Sequence, residues 1–377
     1  MKTYPFLSLK KINEPYEPEI KAALNDVVNS GWYLHGKYNR LLEDSLKSLC
    51  STDYAIACSN GLDALRLIFR AYIELGRLHP GDEVIVQANT YIASVLAITD
   101  NGLCPILVEP DPKTLNLDFQ KAEEAITPRT KAIMTVHLYG TPCWTEDTTK
   151  MARRHNLIVV EDNAQAIGAE ACCNGFHDTS VTGGLGDAAA FSFYPTKNIG
   201  AAGDAGAVTT SDESLAKTIR TLANYGADKR YHNIFQGLNC RMDEMQAAVL
   251  CVKLAHLSEI TAQRRRNAAA YDRAIVHPAI IKPRIDKSAL QVWHQYEIRV
   301  TDNRREAFRL YLKENGVETD IHYAVPPHRQ PCYARLPRKE LPVTELLADE
   351  IVSLPIAEYL TDNDIREIAG IINRIPG

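Results

Sequence analysis

Two periods of hydrophobic residues alternate along the chain. Apolar residues from Ile20 to Val28 recur at the spacing of an amphipathic helix, and this pattern stops near Gly31. Short continuous apolar runs, typical of strands buried on both faces, occur in YAIACS, EVIVQA, CPILVEP, KAIMTVHLYG and LIVVEDNA. Helical patterns such as LDALRLIFRAYIEL and WTEDTTKMARRHN separate these runs. The alternation predicts a mostly parallel sheet with helices on both sides, in roughly the first two thirds of the chain.

A different pattern follows this region. From Arg241 a long helical pattern leads away from the sheet and could bridge to a second domain. It is followed by HQYEIRV, the helix-like NRREAFRLYLKENG, VETDIHY and two predicted terminal helices, TELLADEIVSL and TDNDIREIAGIINRI. We predict a large α/β domain over residues 1–250 and a smaller α+β domain over residues 251–377, with an N-terminal segment that could pack on the smaller one.

Length, composition and charge narrow the possible functions. The 377 residues suit one large and one smaller domain, and the 45% hydrophobic and 24% charged fractions are ordinary for a soluble globular protein. A formal net charge of -5 gives no general attraction to nucleic acid or anionic lipid, so we expect neither as a partner; a small phosphorylated ligand is easier to accommodate. No apolar signal region or long uncharged stretch is present, which favours a cytoplasmic protein. Nine cysteines without a CxxC pair favour buried thiols, and no metal site is predicted.

Two segments place polar groups at predicted strand ends. CSNGLDALRL follows an apolar run and opens a helix, whose free N–H groups could bind an anion, although Asn60 or Asp63 could simply cap that helix. VVEDNAQAIGA places Glu161 and Asp162 at the carboxyl end of a strand, where ligands bind in open α/β sheets. The alternative interpretation is an aspartate that caps the next helix.

A third segment, FSFYPTKN, places Lys197 just beyond another strand. In a cleft with little water, desolvation favours the neutral amine of a lysine, which suits a nucleophile or a Schiff-base former; the alternative is a surface lysine in a loop. Ser192 and the helix that starts near Gly61 could hold one phosphate, and Asp162 could pair with a ring nitrogen. Together these features describe a pocket for pyridoxal 5′-phosphate (PLP).

An ordered series of motifs resembles the DegT/DnrJ/EryC1/StrS group of sugar aminotransferases. The motifs run nearly from end to end: SGWYLHGKYN, SNGLDAL, ANTYIAS, HLYG, EDNAQAIGA, GDAAAFSFYPTKNIGAAGDAGAV, LNCRMDEMQAAVL, DIHYAVPPHRQPCY and SLPIAEYLT. The resemblance implies the aspartate aminotransferase fold, PLP fold type I, with a large domain on a mostly parallel mixed sheet and a smaller C-terminal α+β domain.

The resemblance also implies roles for individual residues around the cofactor ring. It makes Lys197 the lysine that forms a Schiff base with PLP and Asp162 the partner of the pyridinium nitrogen. Gln165 would lie near the 3-hydroxyl, and the ring of Tyr91 would lie against the pyridine face. These roles agree with the chemistry, because a carboxylate keeps the ring nitrogen protonated and an aromatic face fixes the ring plane.

Further implied roles concern the cofactor phosphate. Ser192 and the backbone N–H groups of Gly61 and Leu62 would surround it. In the family, an Asn or Arg from the segment matching LNCRMDE reaches the phosphate of the neighbouring subunit, so Asn239 or Arg241 would act across a homodimer. The residues themselves leave open which of the two does so.

The activity implied by the resemblance is transfer of an amino group from L-glutamate to a nucleotide-linked, and we expect dTDP-linked, 3-keto-6-deoxyhexose. The product would be a 3-amino-3,6-dideoxy sugar for a surface glycan or an antibiotic. Tyr194, His322 and Tyr323 would then face the sugar, and Lys229 or Arg230 would approach the sugar or the pyrophosphate. The alternative for His322 and Tyr323 is a hydrogen-bonded pair in a small-domain strand.

Three other activities remain open from the sequence. The first is an aminotransferase for 4-keto nucleotide sugars. The second is a PLP-dependent dehydratase, against which Lys197 argues, because the dehydratases of the group carry His in its place. The third is a PLP-binding regulator without catalysis, against which the presence of Lys197, Asp162 and Gln165 together argues.

Overall fold

The computed structural model describes residues 2–284, 289–335 and 340–375. The strands of this part of the chain are β1 (Tyr54–Cys58), β2 (Glu83–Gln87), β3 (Cys104–Val108), β4 (Thr130–Val136), β5 (Ile158–Asp162), β6 (Ala188–Ser192), β7 (Gly206–Thr210), β8 (Ala227–Lys229), β9 (His232–Asn233), β10 (Ile280–Ile281), β11 (Tyr296–Val300) and β12 (Ile351–Leu354). The α-helices are α1 (Leu9–Asn13), α2 (Glu17–Ser30), α3 (Lys37–Cys50), α4 (Gly61–Glu74), α5 (Ile92–Thr99), α6 (Phe119–Glu124), α7 (Glu146–His155), α8 (Glu213–Ala223), α9 (Glu244–Ala255), α10 (Leu257–Ala274), α11 (Arg305–Glu314), α12 (Pro342–Glu350) and α13 (Asp362–Ile372).

The large sheet has seven strands in the order β1-β7-β6-β5-β4-β2-β3. The strands from β6 to β3 are parallel, and β7 is antiparallel to both of its neighbours. The predicted mostly parallel mixed sheet is therefore confirmed. Strands β1, β4, β5 and β6 end at the same edge, so the residues that follow them meet there.

Helices cover both faces of this sheet, as the continuous apolar strands require. One core cluster joins the sheet to α4, α5 and α8 through fully buried side chains such as Leu67, Ile68 and Phe69. Clusters on the other face join it to α3 and α9 and to α7. The strand ends that carry the polar motifs thus belong to a rigid, buried layer.

A second sheet, β10-β11-β12, is antiparallel and packs against α10, α11 and α13. Tyr4 from the N-terminal segment joins this cluster and pairs with Val317 by a backbone bridge. Residue 250 lies within α9, and the division at that residue stays a prediction. No helix among the described residues is long and apolar enough to cross a membrane.

Three details differ from the sequence patterns. The helical pattern after Arg241 is interrupted at His256, which separates α9 from α10. TELLADEIVSL is helical only to Glu350, because Ile351–Leu354 pairs with β11 and tertiary pairing overrides the local helical pattern. His322 and Tyr323 lie in a turn and not in the strand that one interpretation gave them.

Candidate active site

Asp162 ends β5 at the ligand-binding edge of the large sheet, with only 6% of its surface exposed. The Ser94 hydroxyl in α5 donates to its Oδ2 over 2.7 Å, and the backbone N–H of Ala164 donates to Oδ1 over 3.2 Å. Thr90 Oγ1 in turn lies 2.8 Å from Ser94 Oγ. A buried carboxylate needs such donors. Ser94 belongs to the motif ANTYIAS, but its contact with Asp162 was not predicted, because nothing in a single sequence links that motif to the end of β5.

Glu161, the neighbour of Asp162, points to the opposite side of the sheet, as successive residues of a strand do. Its carboxylate accepts from His137 Nε2 at 2.8 Å and from the backbone N–H groups of Gly183, Leu185 and Gly186. These bonds fix the loop that enters β6. Glu161 is therefore part of the scaffold, and Asp162 is the carboxylate of the site.

Lys197 follows β6 in a tight turn, in which its backbone N–H donates to the Tyr194 carbonyl over 2.8 Å. Burial lowers the pKa of its amine to about 8, and the nearby Asp162 carboxylate opposes only part of that shift. A substantial fraction of the amine is therefore neutral near physiological pH. This is the state in which a lysine acts as a nucleophile or a base.

His294, which the sequence reasoning missed, lies close to Lys197. Burial and the charge of Lys197 hold the pKa of this histidine well below its usual range, so the imidazole is neutral. Its Nδ1 lies 3.2 Å from Oδ1 of Asn198, the residue after Lys197. The amide of Asn198 also donates to the Val292 carbonyl over 2.9 Å, which ties the lysine turn to the segment before β11.

The start of α4 and the end of β6 form a cradle. Gly61 is buried, and a Cβ at this position would lie 2.6 Å from Ser192 Cβ, so only glycine allows the close approach. The side chain of Asn60 accepts from the backbone N–H of Asp63 over 2.8 Å, which confirms the capping interpretation. The N–H groups of Gly61 and Leu62, ahead of Asp63, have no partners within the helix. They and the Ser192 hydroxyl lie at one helix N-terminus, the place where an anion binds.

Gln165 links the strand end to the turn that carries Tyr323. The Tyr139 backbone N–H donates to Gln165 Oε1 over 2.6 Å, and Gln165 Nε2 donates to the Tyr323 hydroxyl over 2.9 Å. The Tyr323 ring lies 4.9 Å from the ring of Tyr91, centroid to centroid, and Tyr91 is 52% exposed. Tyr91 thus presents an open aromatic face beside Gln165.

His322 lies next to this group. Its carbonyl accepts a hydrogen bond from the Tyr139 hydroxyl, and its Nδ1 lies 2.6 Å from Ser353 Oγ. Burial lowers the pKa of His322, and the charge of Lys197 lowers it further, while Asp320 raises it. The structure therefore brings His322 and Tyr323 to the same region as Lys197.

Tyr194 adjoins Lys197 through its backbone carbonyl, whereas the other predicted residues show no contact with this group within the described chain. Lys229 and Arg230 are exposed at the β8–β9 hairpin, and among the described residues no hydrogen bond or ion pair joins them to the group around Lys197. Tyr194 is 52% exposed, and Asn239 is also exposed. Arg241 is held within its own chain.

The Arg241 contacts are specific. Its Nη1 donates to Asn224 Oδ1 over 3.1 Å, and its guanidinium lies 5.4 Å from the centroid of the Tyr225 ring. Of the two candidate residues, Arg241 is thus engaged within its own chain, whereas the exposed Asn239 is more accessible for contacts outside the chain.

A lysine with a lowered pKa near a buried carboxylate, at the carboxyl edge of a seven-stranded α/β sheet, is an arrangement that suits an enzyme that uses a lysine amine. The model of the DegT/DnrJ/EryC1/StrS aminotransferase family matches residues 15–373. The chain belongs to this family, and the predicted resemblance is confirmed.

Individual relatives agree over nearly the whole length. The dTDP-3-amino-3,6-dideoxy-alpha-D-galactopyranose transaminase of Aneurinibacillus thermoaerophilus is 47% identical over 98% of this chain and 99% of its own. The structure of DesV from S. venezuelae, in complex with a ketimine intermediate, is 40% identical, with a TM-score of 0.92 over 99% of this chain and 98% of its own. That of ntda from Bacillus subtilis, with bound cofactor PMP, is 31% identical, with a TM-score of 0.88 over 99% of this chain and 86% of its own. The predicted fold class is confirmed.

Proposed function

We propose that this enzyme is a PLP-dependent aminotransferase that moves an amino group from L-glutamate to C3 of a dTDP-linked 3-keto-6-deoxyhexose. The observation that carries the proposal is the half-buried Lys197, whose amine has a pKa lowered to about 8 and interacts with the charge of Asp162. The substrate class is supported by the transaminase of a dTDP-3-amino-3,6-dideoxy sugar that is 47% identical to this chain. The product is a 3-amino-3,6-dideoxy sugar for a surface glycan or an antibiotic.

The residues present fit PLP. The close approach of Gly61 to Ser192 leaves a cradle of N–H groups and a hydroxyl that suits a phosphate. The exposed face of Tyr91 suits the pyridine ring, and the carboxylate of Asp162 suits a protonated ring nitrogen. Gln165, which is hydrogen-bonded to Tyr139 and Tyr323, would contact the ring hydroxyl.

When bound, PLP serves as an electron sink for the carbon that gains or loses the amino group. Lys197 would hold the cofactor through Nζ, and its amine would serve as the base that moves a proton at the reacting carbon. Asp162, whose two carboxylate oxygens are held by Ser94 and Ala164, would pair with the ring nitrogen. His294 stays neutral beside Lys197 and so adds no charge that would compete with the amine.

On the substrate side, we assign Tyr194, His322 and Tyr323 to the sugar. The ring of Tyr194 is 52% exposed, its carbonyl accepts from the Lys197 backbone N–H, and the charge of Lys197 acts on His322, whose ring contacts that of Tyr323; these observations support the assignment. Lys229 or Arg230 would contact the sugar or the pyrophosphate from the exposed β8–β9 hairpin.

We also propose a homodimer in which Asn239 reaches the phosphate of the partner subunit. Arg241 is engaged by Asn224 and Tyr225 in its own chain, whereas Asn239 is exposed. A two-fold interface would place each Asn239 in the other pocket, twice per dimer. Arg241 would then position this segment and not contact the cofactor.

A cytoplasmic location is part of the proposal. All nine cysteines are free thiols, which suits a reducing compartment. Both proposed substrates, an amino acid and a nucleotide sugar, are small charged molecules that are used in that compartment.

The proposal is tested with purified enzyme, PLP and glutamate, to which 3-keto and 4-keto dTDP-6-deoxyhexoses are supplied in parallel. The expected result is 2-oxoglutarate formation in step with amination of the 3-keto sugar, with the Lys197→Ala variant inactive. Amination of only the 4-keto sugar would contradict the regiochemistry. Turnover by Lys197→Ala equal to that of the wild type would contradict the mechanism.

A further inference from the structure

A buried carboxylate, Glu297, lies behind the site without a conventional cationic partner. Glu297 on β11 is directly opposite Ser353 on β12, and Ser353 Oγ lies 2.6 Å and 2.8 Å from its two carboxylate oxygens. Glu297 is 2% exposed. Among the described residues no lysine or arginine forms an ion pair with it; the only basic group near it is His322 Nδ1, at 3.9 Å.

The same serine hydroxyl also meets His322. Reciprocal backbone hydrogen bonds between Asp320 and Ser353, of 3.2 Å and 2.9 Å, bring the His322 turn against β12. His322 Nδ1 then lies 2.6 Å from Ser353 Oγ. One hydroxyl thus connects a buried carboxyl group to an imidazole that is close enough to Lys197 to feel its charge.

We propose that Glu297, Ser353 and His322 form a relay that shares one proton and keeps Nε2 of His322 protonated, so that this nitrogen donates a hydrogen bond to an oxygen of the keto sugar. Glu297 and Ser353 are positioning residues in this proposal, because they act on the substrate only through His322. The sugar contact rests on the proposed function, whereas the proton arrangement does not.

A serine hydroxyl has one proton to donate and can accept others. With Glu297 as a carboxylate and His322 neutral, the protein would bury an uncompensated charge, which is costly. Near neutral pH these three residues therefore carry one more proton, on either Glu297 or His322.

Both locations of that proton give the same result at Nε2. If Glu297 is a carboxylic acid, it donates to Ser353, the serine donates to Nδ1, and the ring proton is on Nε2. If His322 is an imidazolium, both ring nitrogens carry protons. Nε2 also lies 3.9 Å from Asp320 Oδ2, a position that suits a donor.

The electrostatics favour the first arrangement. Burial raises the pKa of Glu297 to about 8, while burial lowers the pKa of His322. Several other titratable groups interact electrostatically with His322 or Glu297. They are Lys197, His294, Asp320, Tyr139 and Tyr323. Near neutral pH Glu297 is then protonated. Above about pH 8 it loses this proton, Ser353 donates to its carboxylate, and the ring proton of His322 moves to Nδ1.

The test is a solid-state 15N spectrum of the PLP-loaded, full-length enzyme labelled with 15N-histidine, recorded without sugar. The His322 signals are assigned by their loss in His322→Gln. At pH 7 we expect a protonated Nε2, and at pH 9.5 we expect the proton on Nδ1. A wild-type spectrum with Nε2 unprotonated at pH 7 would overturn the proposal. This outcome is measured on the wild-type protein, so it does not depend on whether the Glu297 or Ser353 variants fold.

Two variants sharpen the test. In Glu297→Gln the tautomer should no longer change between pH 7 and pH 9.5, whereas Glu306→Gln, which removes an exposed carboxylate on α11, should change as the wild type does. In Ser353→Ala the KM for the keto sugar should rise about fivefold, the effect of one ordinary hydrogen bond, with the glutamate half of the reaction unchanged. An unaltered pH response in Glu297→Gln, or an unaltered sugar KM in Ser353→Ala, would contradict the relay. An enzyme inactive on every keto sugar but with the expected spectra would contradict only the proposed function.

Discussion

The Ser94 hydroxyl donates to Asp162 Oδ2 over 2.7 Å and so joins the start of α5 to the end of β5. The bond fixes one oxygen of a carboxylate that is only 6% exposed, and the Ala164 N–H fixes the other. Thr90 holds the serine in turn. The Asp162 carboxylate is therefore held in one orientation by residues outside its own strand. A fixed carboxylate suits the proposed pairing with a ring nitrogen.

Removing the Ser94 hydroxyl should weaken catalysis without unfolding the protein. A hydrogen bond to a charged group contributes about 1.5–3 kcal/mol, so Ser94→Ala should lower kcat by about tenfold to a hundredfold. Ser94→Thr, which keeps the hydroxyl, is the matched control. Steady-state kinetics and circular dichroism measure the two effects separately. Full activity in a folded Ser94→Ala enzyme would show that the bond is dispensable.

Asp162→Asn should keep PLP bound but lose on the order of 100-fold or more in turnover, because a neutral amide no longer holds the ring nitrogen in its protonated form. Absorbance of the purified variant reports the bound cofactor, and a glutamate assay reports turnover. Activity close to that of the wild type would count against this role. An insoluble variant would indicate that Asp162 is chiefly structural.

Glu297 should make stability depend on pH in a defined direction. Its pKa is raised from 4.5 to about 8 in the folded protein, so the unfolded chain releases this proton at lower pH than the folded chain does. The stabilising effect is complete below about pH 4.5 and is lost as pH rises towards 8. Glu297→Gln should therefore gain stability relative to the wild type between pH 5 and pH 8, by at least about 1 kcal/mol.

Chemical denaturation at several pH values measures this difference, with the exposed Glu306→Gln as the control. If the free energies of unfolding of Glu297→Gln and the wild type differ by the same amount at every pH, Glu297 has an ordinary pKa in the folded protein.

Much of the fold followed from local patterns. The five apolar runs confirmed as strands are mostly buried, so their composition identifies them. Lys197 lies in the turn after β6, as the sequence predicted. The pairing of Glu297 with Ser353 could not be predicted, because the two residues are 56 positions apart and meet only through the register of β11 and β12. His294 was missed for the same reason: its place beside Lys197 depends on how the two sheets pack.

Subunit mixing tests the shared pocket. If Asn239 acts in the partner's site, mixing Lys197→Ala with Asn239→Ala subunits should restore one intact pocket in each heterodimer. Random exchange then gives about a quarter of the wild-type sites. Lys197→Ala mixed with Asp162→Asn is the control, because both changes affect residues of one chain's own pocket, and no activity should return. The absence of recovery after proven exchange, or an active monomer, would overturn the assignment.

The most direct test of the central claim is the site at which borohydride fixes the cofactor. The chain offers an internal control, because Lys253 is also buried, with a pKa of about 8, but its Nζ donates to the Gly200 carbonyl over 2.6 Å. The PLP-loaded enzyme is reduced and digested, and the peptides are mapped by mass spectrometry. The account predicts a pyridoxyl group on Lys197 and none on Lys253; a pyridoxyl group on Lys253, or its absence from Lys197, would contradict it.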